Sequence, residues 1–251
     1  MMRRRIPLLI GIALAAPLLL LPIEAFADQW RAPALWPQEI GTRGVRRVFE
    51  DAVLPQAILN SAIIGVLSVA IGLLLAWPAA RSFAANDQGS QRWLLAAIVA
   101  PLLLPPLVVG EGLQVWFLRF GLANTLIGVA IAHLVYVVPY MVLILRPAFT
   151  TSLMQQEDAA AGLGASRLWV ARLVTLPGIA SSLGLALALG FTVSWSQYGT
   201  SLGVGGGVQT LPIVLVPFVG SDPQIAAVLD LIFLAPPLVA LTVALRTEPV
   251  L

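Results

Sequence analysis

An all-α polytopic membrane protein with six transmembrane helices is the fold class that three features of the sequence predict. Hydrophobic residues make up 59% of the 251 residues and charged residues only 10%, so the chain cannot present a polar surface to water on all sides. The apolar residues are concentrated in six runs, which are long enough to cross a bilayer as helices of about 20 residues. Arginine is more frequent on one side of these runs, which is typical of the cytoplasmic side. We therefore expect one transmembrane domain comprising residues 1–251.

The first predicted span covers residues 6–23 and follows three arginines at positions 3–5. Together with Ala25-Phe26-Ala27, this pattern is also typical of a signal peptide cleaved from residues 1–27. The apolar run is longer than the core of most signal peptides and five further spans follow it, which favours an uncleaved helix. In either case the basic end stays in the cytoplasm. The mixed-charge segment 24–55 is then an outer loop.

Two further spans are predicted at residues 56–79 and 93–117, with a short polar inner segment between them. The second of these spans contains Pro101, Pro105 and Pro106, and a proline inside a helix leaves a backbone carbonyl without its donor. We expect this span to be bent where neighbouring helices or water can satisfy the freed carbonyls.

The last three spans are predicted at residues 125–145, 178–196 and 224–245. The Gly-rich outer segment before the sixth span contains apolar residues 211–219, which are too few to cross a bilayer and predict a helix at the outer surface. Six spans from an inner N-terminus place both termini in the cytoplasm. The arginines agree with this topology, with nine inside (Arg3, Arg4, Arg5, Arg81, Arg92, Arg146, Arg167, Arg172, Arg246) and five outside (Arg31, Arg43, Arg46, Arg47, Arg119).

Several residue types are absent from the sequence, and their absence excludes classes of function. No lysine occurs, so the chain has no phosphate-binding loop of the form GxxxxGK[ST] and we expect no ATP hydrolysis on it by that route. Cysteine is absent and His133 is the single histidine, which leaves no Cys-ligated metal and no catalytic triad without His133. We expect no metal or cofactor. The arginines are scattered rather than clustered, which argues against a nucleic-acid partner.

The inner segment 146–177 carries a spaced pattern: Asp158-Ala159-Ala160, then Gly164, then Val174-Thr175-Leu176-Pro177. Small side chains allow a short helix to lie close to a partner, and Gly164 permits a sharp reversal into a second short helix. Arg167 and its neighbours give that second helix an interfacial character, and Pro177 is expected to end it and open the fifth span. The alternative is an ordinary amphipathic cytoplasmic loop.

This spacing resembles the EAA loop of the permease subunits of binding-protein-dependent ABC importers of the type I fold. Asp158 replaces the usual Glu, and Val174 replaces the usual Ile. A looser resemblance covers about residues 54–246. There, Asn60-Ser61 and the stretch Gln197-Tyr198-Gly199-Thr200 look most like the subgroup that serves polyamines, iron(III) and thiamine.

The resemblance implies that the chain forms half of a solute pathway, paired with an identical or homologous permease. Two cytoplasmic ABC ATPases would hydrolyse ATP, and a periplasmic or lipid-anchored binding protein would deliver the solute. The location implied is the bacterial cytoplasmic (inner) membrane, as a multi-pass protein. The residues implied in ATPase coupling are Asp158, Ala159, Ala160, Gly164, Arg167, Val174, Leu176 and Pro177, within segment 157–177.

Polar residues inside the predicted spans are candidates for the solute pathway: Glu111, Gln114, His133, Tyr136 and Asp230. Such groups either line a pathway or satisfy one another between packed helices, and the sequence leaves both open. If Glu111 and Asp230 share an aqueous cavity, a cationic solute is expected. An alternative function is an ion-coupled secondary transporter or channel that uses these two carboxylates. An intramembrane enzyme would need a catalytic constellation that the sequence lacks.

Overall fold

The computed structural model describes residues 18–31, 33–85 and 89–247. Within them the chain forms two compact units. The first unit comprises the described residues up to Asn60 together with Gln209–Ala235, and the second comprises Ser61–Val208 together with the described residues from Pro236. A single permease domain therefore stays a prediction.

The first unit contains regular structure in the segment that we expected to be a loop. Residues 18–25 form a helix (α1), and β1 (Ala27–Gln29) pairs antiparallel with β2 (Glu39–Ile40). The unit also holds α2 (Arg43–Glu50), the first residues of α3 (Leu54–Ala85), α11 (Leu211–Ser221) and the start of α12 (Pro223–Thr247). The predicted short apolar helix at 211–219 is confirmed as α11. Its location at the outer membrane surface stays a prediction.

The second unit is built from helices that follow one another with short turns. In chain order they are α3 (Leu54–Ala85), α4 (Gly89–Val99), a 3₁₀ turn (Ala100–Leu103), α5 (Pro106–Arg119), α6 (Leu126–Leu145), a 3₁₀ turn (Arg146–Ala148), α7 (Thr151–Gly162), α8 (Arg167–Val170), a π-helical turn (Ala171–Thr175), α9 (Leu176–Trp195), α10 (Tyr198–Gly205) and the end of α12 (Pro223–Thr247).

Four helical stretches among the described residues are long and apolar enough to cross a membrane: Leu54–Ala85, Leu126–Ala148, Arg167–Trp195 and Pro223–Ala244. They contain the second, fourth, fifth and sixth predicted spans, apart from a residue or two at the ends. The third predicted span corresponds to a bent pair, which would be a fifth crossing if it forms one span. Most of the first predicted span, 6–23, lies outside the described residues. The count of six helices stays a prediction.

The proline-rich third span is bent, as predicted, by 104° between Arg92–Leu103 and Pro106–Arg119. A carbonyl at this break finds a donor from another helix, because the Tyr136 hydroxyl donates to the Leu104 carbonyl at 2.9 Å. A sharp bend in apolar surroundings is stable only if the freed backbone groups are paired in this way.

The core of the second unit lies where α3, α6, α7 and α9 meet. Its buried side chains come from all four helices and from the turn before α7: Ala76, Ala80, Phe83, Val137, Met141, Val142, Leu145, Phe149, Leu153, Ile179 and Ala186. Elsewhere in the unit, α10 crosses α5 so closely that a Cβ on Gly203 would stand 2.7 Å from the Gly110 carbonyl carbon. We did not predict α10, because the glycines that make this contact possible resemble a loop when read locally.

The prediction that Pro177 ends a short helix was wrong. The helical chain runs without interruption from Arg167 through Pro177 to Trp195. Proline excludes an ordinary helical turn because its ring meets the carbonyl four residues earlier. Here the wider π-helical turn Ala171–Thr175 precedes Pro177, which falls in the first turn of α9. The wider turn gives the ring room, and the helix continues.

Candidate functional site

The turn between α7 and α8 is shaped by capping interactions at each helix end. The Thr150 hydroxyl accepts from the Leu153 amide at 3.2 Å and starts α7. At the other end the Gly164 amide donates to the Ala161 carbonyl at 3.0 Å and the Ala165 amide to the Ala160 carbonyl at 3.1 Å. This pair of bonds is a Schellman motif. It requires the left-handed φ of +89° that Gly164 adopts, so the predicted reversal at Gly164 is confirmed.

The corner formed by α7 and α8, residues 158–169, projects both polar and apolar side chains. Asp158, Ala159, Gly164 and Arg167 are exposed and Ala160 is half-buried. The large apolar side chains Leu163 and Leu168 are 90% and 78% exposed. The sequence analysis did not single out these two leucines, although Leu163 lies between two glycines and Leu168 follows Arg167 in the first turn of α8.

An open cavity of about 420 Å³ lies on this corner. It is lined by Ala160, Leu163, Gly164, Ala165, Ser166 and Trp169. The lining is mostly apolar, and the backbone around it is fixed by the Schellman motif and by the Ser166 hydroxyl, which accepts from the Trp169 amide at 3.3 Å. A preformed apolar concavity beside exposed leucines is suited to receive a protein surface.

Glu157 lies one residue before the predicted pattern and is buried. Arg81 Nη1 donates to Glu157 Oε1 at 3.0 Å, Arg81 Nη2 contacts Oε2, and the Thr175 hydroxyl donates to Oε1. Burial alone would raise the pKa of Glu157, but the hydrogen bonds from Arg81 and Thr175 and the charge of Arg81 outweigh burial and hold the pKa below its ordinary value of 4.5. We call Arg81, Glu157 and Thr175 the Glu157 cluster.

The other three residues of the predicted coupling set lie away from the corner. Val174 is half-buried and packs against the core, whereas Leu176 and Pro177 are exposed at the start of α9. The structure thus brings together Asp158, Ala159, Ala160, Gly164 and Arg167 on one corner and leaves the C-terminal part of the pattern on the helix that follows. Their shared role in coupling stays a prediction.

The predicted pathway residues differ in their surroundings. In the second unit Glu111 is exposed on α5 and Gln114 is half-buried. In the first unit Asp230 is half-buried on α12. Tyr136 is buried and donates to the Leu104 carbonyl, which is a packing role. Participation of these groups in a solute pathway stays a prediction.

His133 is fully buried between α6, α9 and α10, and both of its ring nitrogens are paired. Nδ1 lies 2.8 Å from the Ser194 hydroxyl and Nε2 lies 3.0 Å from the Ser201 hydroxyl. Ser201 donates its only hydroxyl proton to the Gln197 carbonyl at 2.6 Å, so it accepts from His133. The proton of the neutral imidazole therefore lies on Nε2, and Nδ1 accepts from Ser194. This arrangement ties three helices together.

No family model matches the chain. It is, however, 31% identical to the molybdenum transport system permease protein ModB of Mycobacterium tuberculosis, over 76% of this chain and 79% of that one. The chain belongs to the permease subunits of ABC importers. The sulfate transport system permease protein CysT of Salmonella typhimurium is 28% identical to this permease over 60% of its length and 57% of the relative.

The fold of the permease agrees with this assignment. A chain in the crystal structure of a bacterial ABC transporter for the acidic polysaccharide alginate superposes with a TM-score of 0.73 at 15% identity, covering 98% of the permease and 94% of that chain. The family membership shown by the ModB relative sets aside the alternative of an ion-coupled secondary transporter or channel. Relatives for molybdenum and sulfate do not single out the polyamine, iron(III) and thiamine subgroup, which stays a prediction.

Proposed function

We propose that the α7–α8 corner is the surface through which this permease binds and responds to a cytoplasmic ATPase. The single observation that carries the proposal is the corner itself, a capped reversal with two highly exposed leucines beside an apolar cavity. Exposed apolar side chains of this size on an ordered turn are typical of a protein contact. The residues proposed for that contact are Asp158, Ala159, Ala160, Gly164 and Arg167, with Leu163 and Leu168 added.

The proposed assembly has two copies of this permease, or this permease and a homologue, with six spans each, two ATPases and an outer solute-binding protein. One structure of the alginate transporter is a complex with a periplasmic protein, which supports a binding protein here by analogy. ATP hydrolysis is assigned to the partner subunits, in line with the absence of lysine from this chain.

The proposed orientation places both termini and the α7–α8 corner in the cytoplasm, on the basis of the arginine distribution. The chain contains no cysteine, so single cysteines report topology without background. We expect Ser166→Cys to resist an impermeant thiol reagent in intact cells and Ser221→Cys to react, since both serines are exposed. The opposite labelling would reverse the proposed orientation.

The experiment for the ATPase contact compares two exposed leucines. Leu163 is 90% exposed on the corner, and Leu35 is 85% exposed in the outer segment. When the permease is co-expressed with its proposed ATPase partner, Leu163→Asp should reduce co-purification of the ATPase at least tenfold, because a charge enters an apolar contact. Leu35→Asp should leave co-purification unchanged. Equal recovery of the ATPase with both variants would remove the corner from the contact.

A second proposal concerns the solute. Glu111 and Asp230 take part in neither of the two ion pairs formed among the described residues, so each carboxylate is free to meet a cation from a pathway. This favours a cationic solute, whereas the names of the relatives favour an oxyanion.

Uptake of labelled spermidine and molybdate by the complete transporter decides between a cationic solute and an oxyanion. Loss of uptake in a Glu111→Gln, Asp230→Asn double variant would support the pathway role, and normal uptake would assign both groups to helix packing.

A further inference from the structure

The Glu157 cluster joins three elements that are distant in sequence. Arg81 lies near the end of α3, Glu157 on α7, and Thr175 in the π-helical turn that leads into α9. Both oxygens of the Glu157 carboxylate are engaged, one by Arg81 and Thr175 together and the other by Arg81. A planar guanidinium that binds a carboxylate through two nitrogens fixes direction as well as distance. The cluster therefore sets the angle at which α7 leaves the helix bundle.

The attachment of α7 depends on few residues. Only Leu153 and Glu157 are buried among its twelve residues, and their spacing of four places them on one helix face. Leu153 contributes a nondirectional apolar contact to the core. Glu157 contributes the directional contact, and it is the buried residue nearer to the α7–α8 corner.

The surroundings of the cluster hold its members in place. The Arg81 guanidinium lies over the Phe149 ring, with 5.8 Å between Cζ and the ring centroid. Phe149 in turn meets Trp77 edge to face at 5.5 Å. On the other side, the π-helical turn brings Thr175 to face Glu157 while its hydroxyl stays within 3.5 Å of the Val170 carbonyl. A π turn inside a helix is a feature that recurs at functional sites.

We propose that Glu157 is a positioning residue that makes the α7–α8 corner move as one rigid body with α3 and α9. Force applied to the corner by an ATPase then reaches two membrane helices instead of bending α7 about Leu153. This inference rests on the proposed function of the corner. It adds a role for Glu157, which the spaced pattern does not specify, and it adds transmission of force to α3 through Arg81 and to α9 through Thr175.

The test measures the motion of α7 directly. Spin labels on Gln155→Cys in α7 and Ser181→Cys in α9, both exposed positions, report the distance between the two helices in the otherwise cysteine-free chain. The complex of permease and ATPase is measured without nucleotide and with ATP and vanadate. We expect one narrow distance distribution that is the same in both states, because the two helices move together.

Two variants break the cluster from opposite sides. Glu157→Gln removes the buried charge while keeping shape, and Arg81→Gln removes its partner, so that misfolding of one variant leaves the other informative. In both we expect a second distance, displaced by several ångström, that grows when nucleotide binds. Asp222→Asn, which removes a carboxylate in the first unit, is the matched control and should keep the narrow distribution.

A narrow, nucleotide-independent distance in both cluster variants would overturn the proposal, because Leu153 would then suffice to hold α7. Failure of the ATPase to co-purify with the unaltered permease would instead contradict the proposed function. The nucleotide-free distances of the permease alone would still test the cluster, since the narrow distribution and its loss in the variants do not require the partner.

Discussion

Two bidentate arginine–carboxylate pairs occur in the described part of this permease, one in each unit, and they differ in the burial of the carboxylate. In the first unit Arg43 pairs with Asp222 at 2.9 Å and 3.1 Å, and the two side chains are 46% and 24% exposed. In the second unit Arg81 pairs with Glu157, and the side chains are 44% and 6% exposed. The two arginines are thus nearly equally exposed, whereas the Glu157 carboxylate is more deeply buried than that of Asp222.

Burial of the carboxylate determines which pair can fix the position of a helix. An exposed pair is screened by water and contributes little to stability. A buried carboxylate that loses its partner keeps its desolvation cost, so breaking its pair is much more damaging. Glu157 also accepts from Thr175, whereas the second support of Asp222 is the Ile225 amide at 3.3 Å. We therefore expect loss of the Arg81–Glu157 pair to destabilise the permease more than loss of the Arg43–Asp222 pair.

The largest expected difference comes from replacing each arginine by methionine. Arg81→Met should destabilise the purified permease by about 2 kcal/mol, which is below the full cost of an unpaired buried charge because Arg81 is half exposed. Arg43→Met should cost less than about 1 kcal/mol. Thermal unfolding in detergent measures both. Equal losses would show that burial of the carboxylate does not distinguish the two pairs.

A smaller loss of stability is expected from replacing the glycine at the reversal between α7 and α8. Gly164 has φ of +89° and Gly162 has an ordinary helical backbone, while both have open space where the methyl group of an alanine would lie. Gly164→Ala should cost about 1 kcal/mol through backbone strain, and Gly162→Ala should be neutral or slightly stabilising. The same unfolding assay checks this, and a loss in Gly162→Ala equal to that in Gly164→Ala would mean that crowding, not φ, requires glycine.

The smallest effect concerns pH. Burial raises the pKa of Asp222, but the hydrogen bond and charge of Arg43 outweigh it and hold the pKa below the ordinary value of 3.8. Glu157 likewise has a pKa below 4.5. A carboxyl group whose pKa is lowered in the folded protein contributes stability at every pH above its ordinary pKa. That stability is lost as the pH falls through the lowered pKa. Asp158 is the other carboxylate beside the Glu157 cluster. Both ion pairs should persist from about pH 8 to 5, because Arg81 and Arg43 stay charged over this range. A change in the α7–α9 distance within that range would contradict this.

The sequence predicted the α7–α8 corner better than the way the corner is attached. Gly164 was placed correctly because a glycine after a small-residue helix has a specific backbone use. Glu157 lay within the predicted segment 157–177 but was given no role of its own, because its neighbour Asp158 fits the pattern. Only the four-residue spacing from Leu153 indicates which carboxylate is buried. The prediction for Pro177 was wrong because the rule that proline ends a helix assumes an α-helical turn before the proline. The local sequence gives no sign of the π-helical turn that precedes Pro177.

The first unit was less predictable. Its hairpin and α2 are held by contacts between residues far apart in the chain, including the Gln224 amide, which donates to Asp28 at 2.8 Å. A strand of two or three residues carries no periodic signal, so such elements form only when distant partners are present. The spans, in contrast, follow from local apolar length, and four of them lie within helices of the predicted kind and place.

Site-specific photocrosslinking reports whether the α7–α8 corner contacts the ATPase in the assembled transporter. A benzophenone amino acid is placed at Leu163 or, as the matched exposed control, at Leu35, and the complete transporter is irradiated in membranes. We predict a crosslink to the ATPase from position 163 and none from position 35. A crosslink to the ATPase from position 35, or to the binding protein from position 163, would contradict both the contact and the orientation on which it depends.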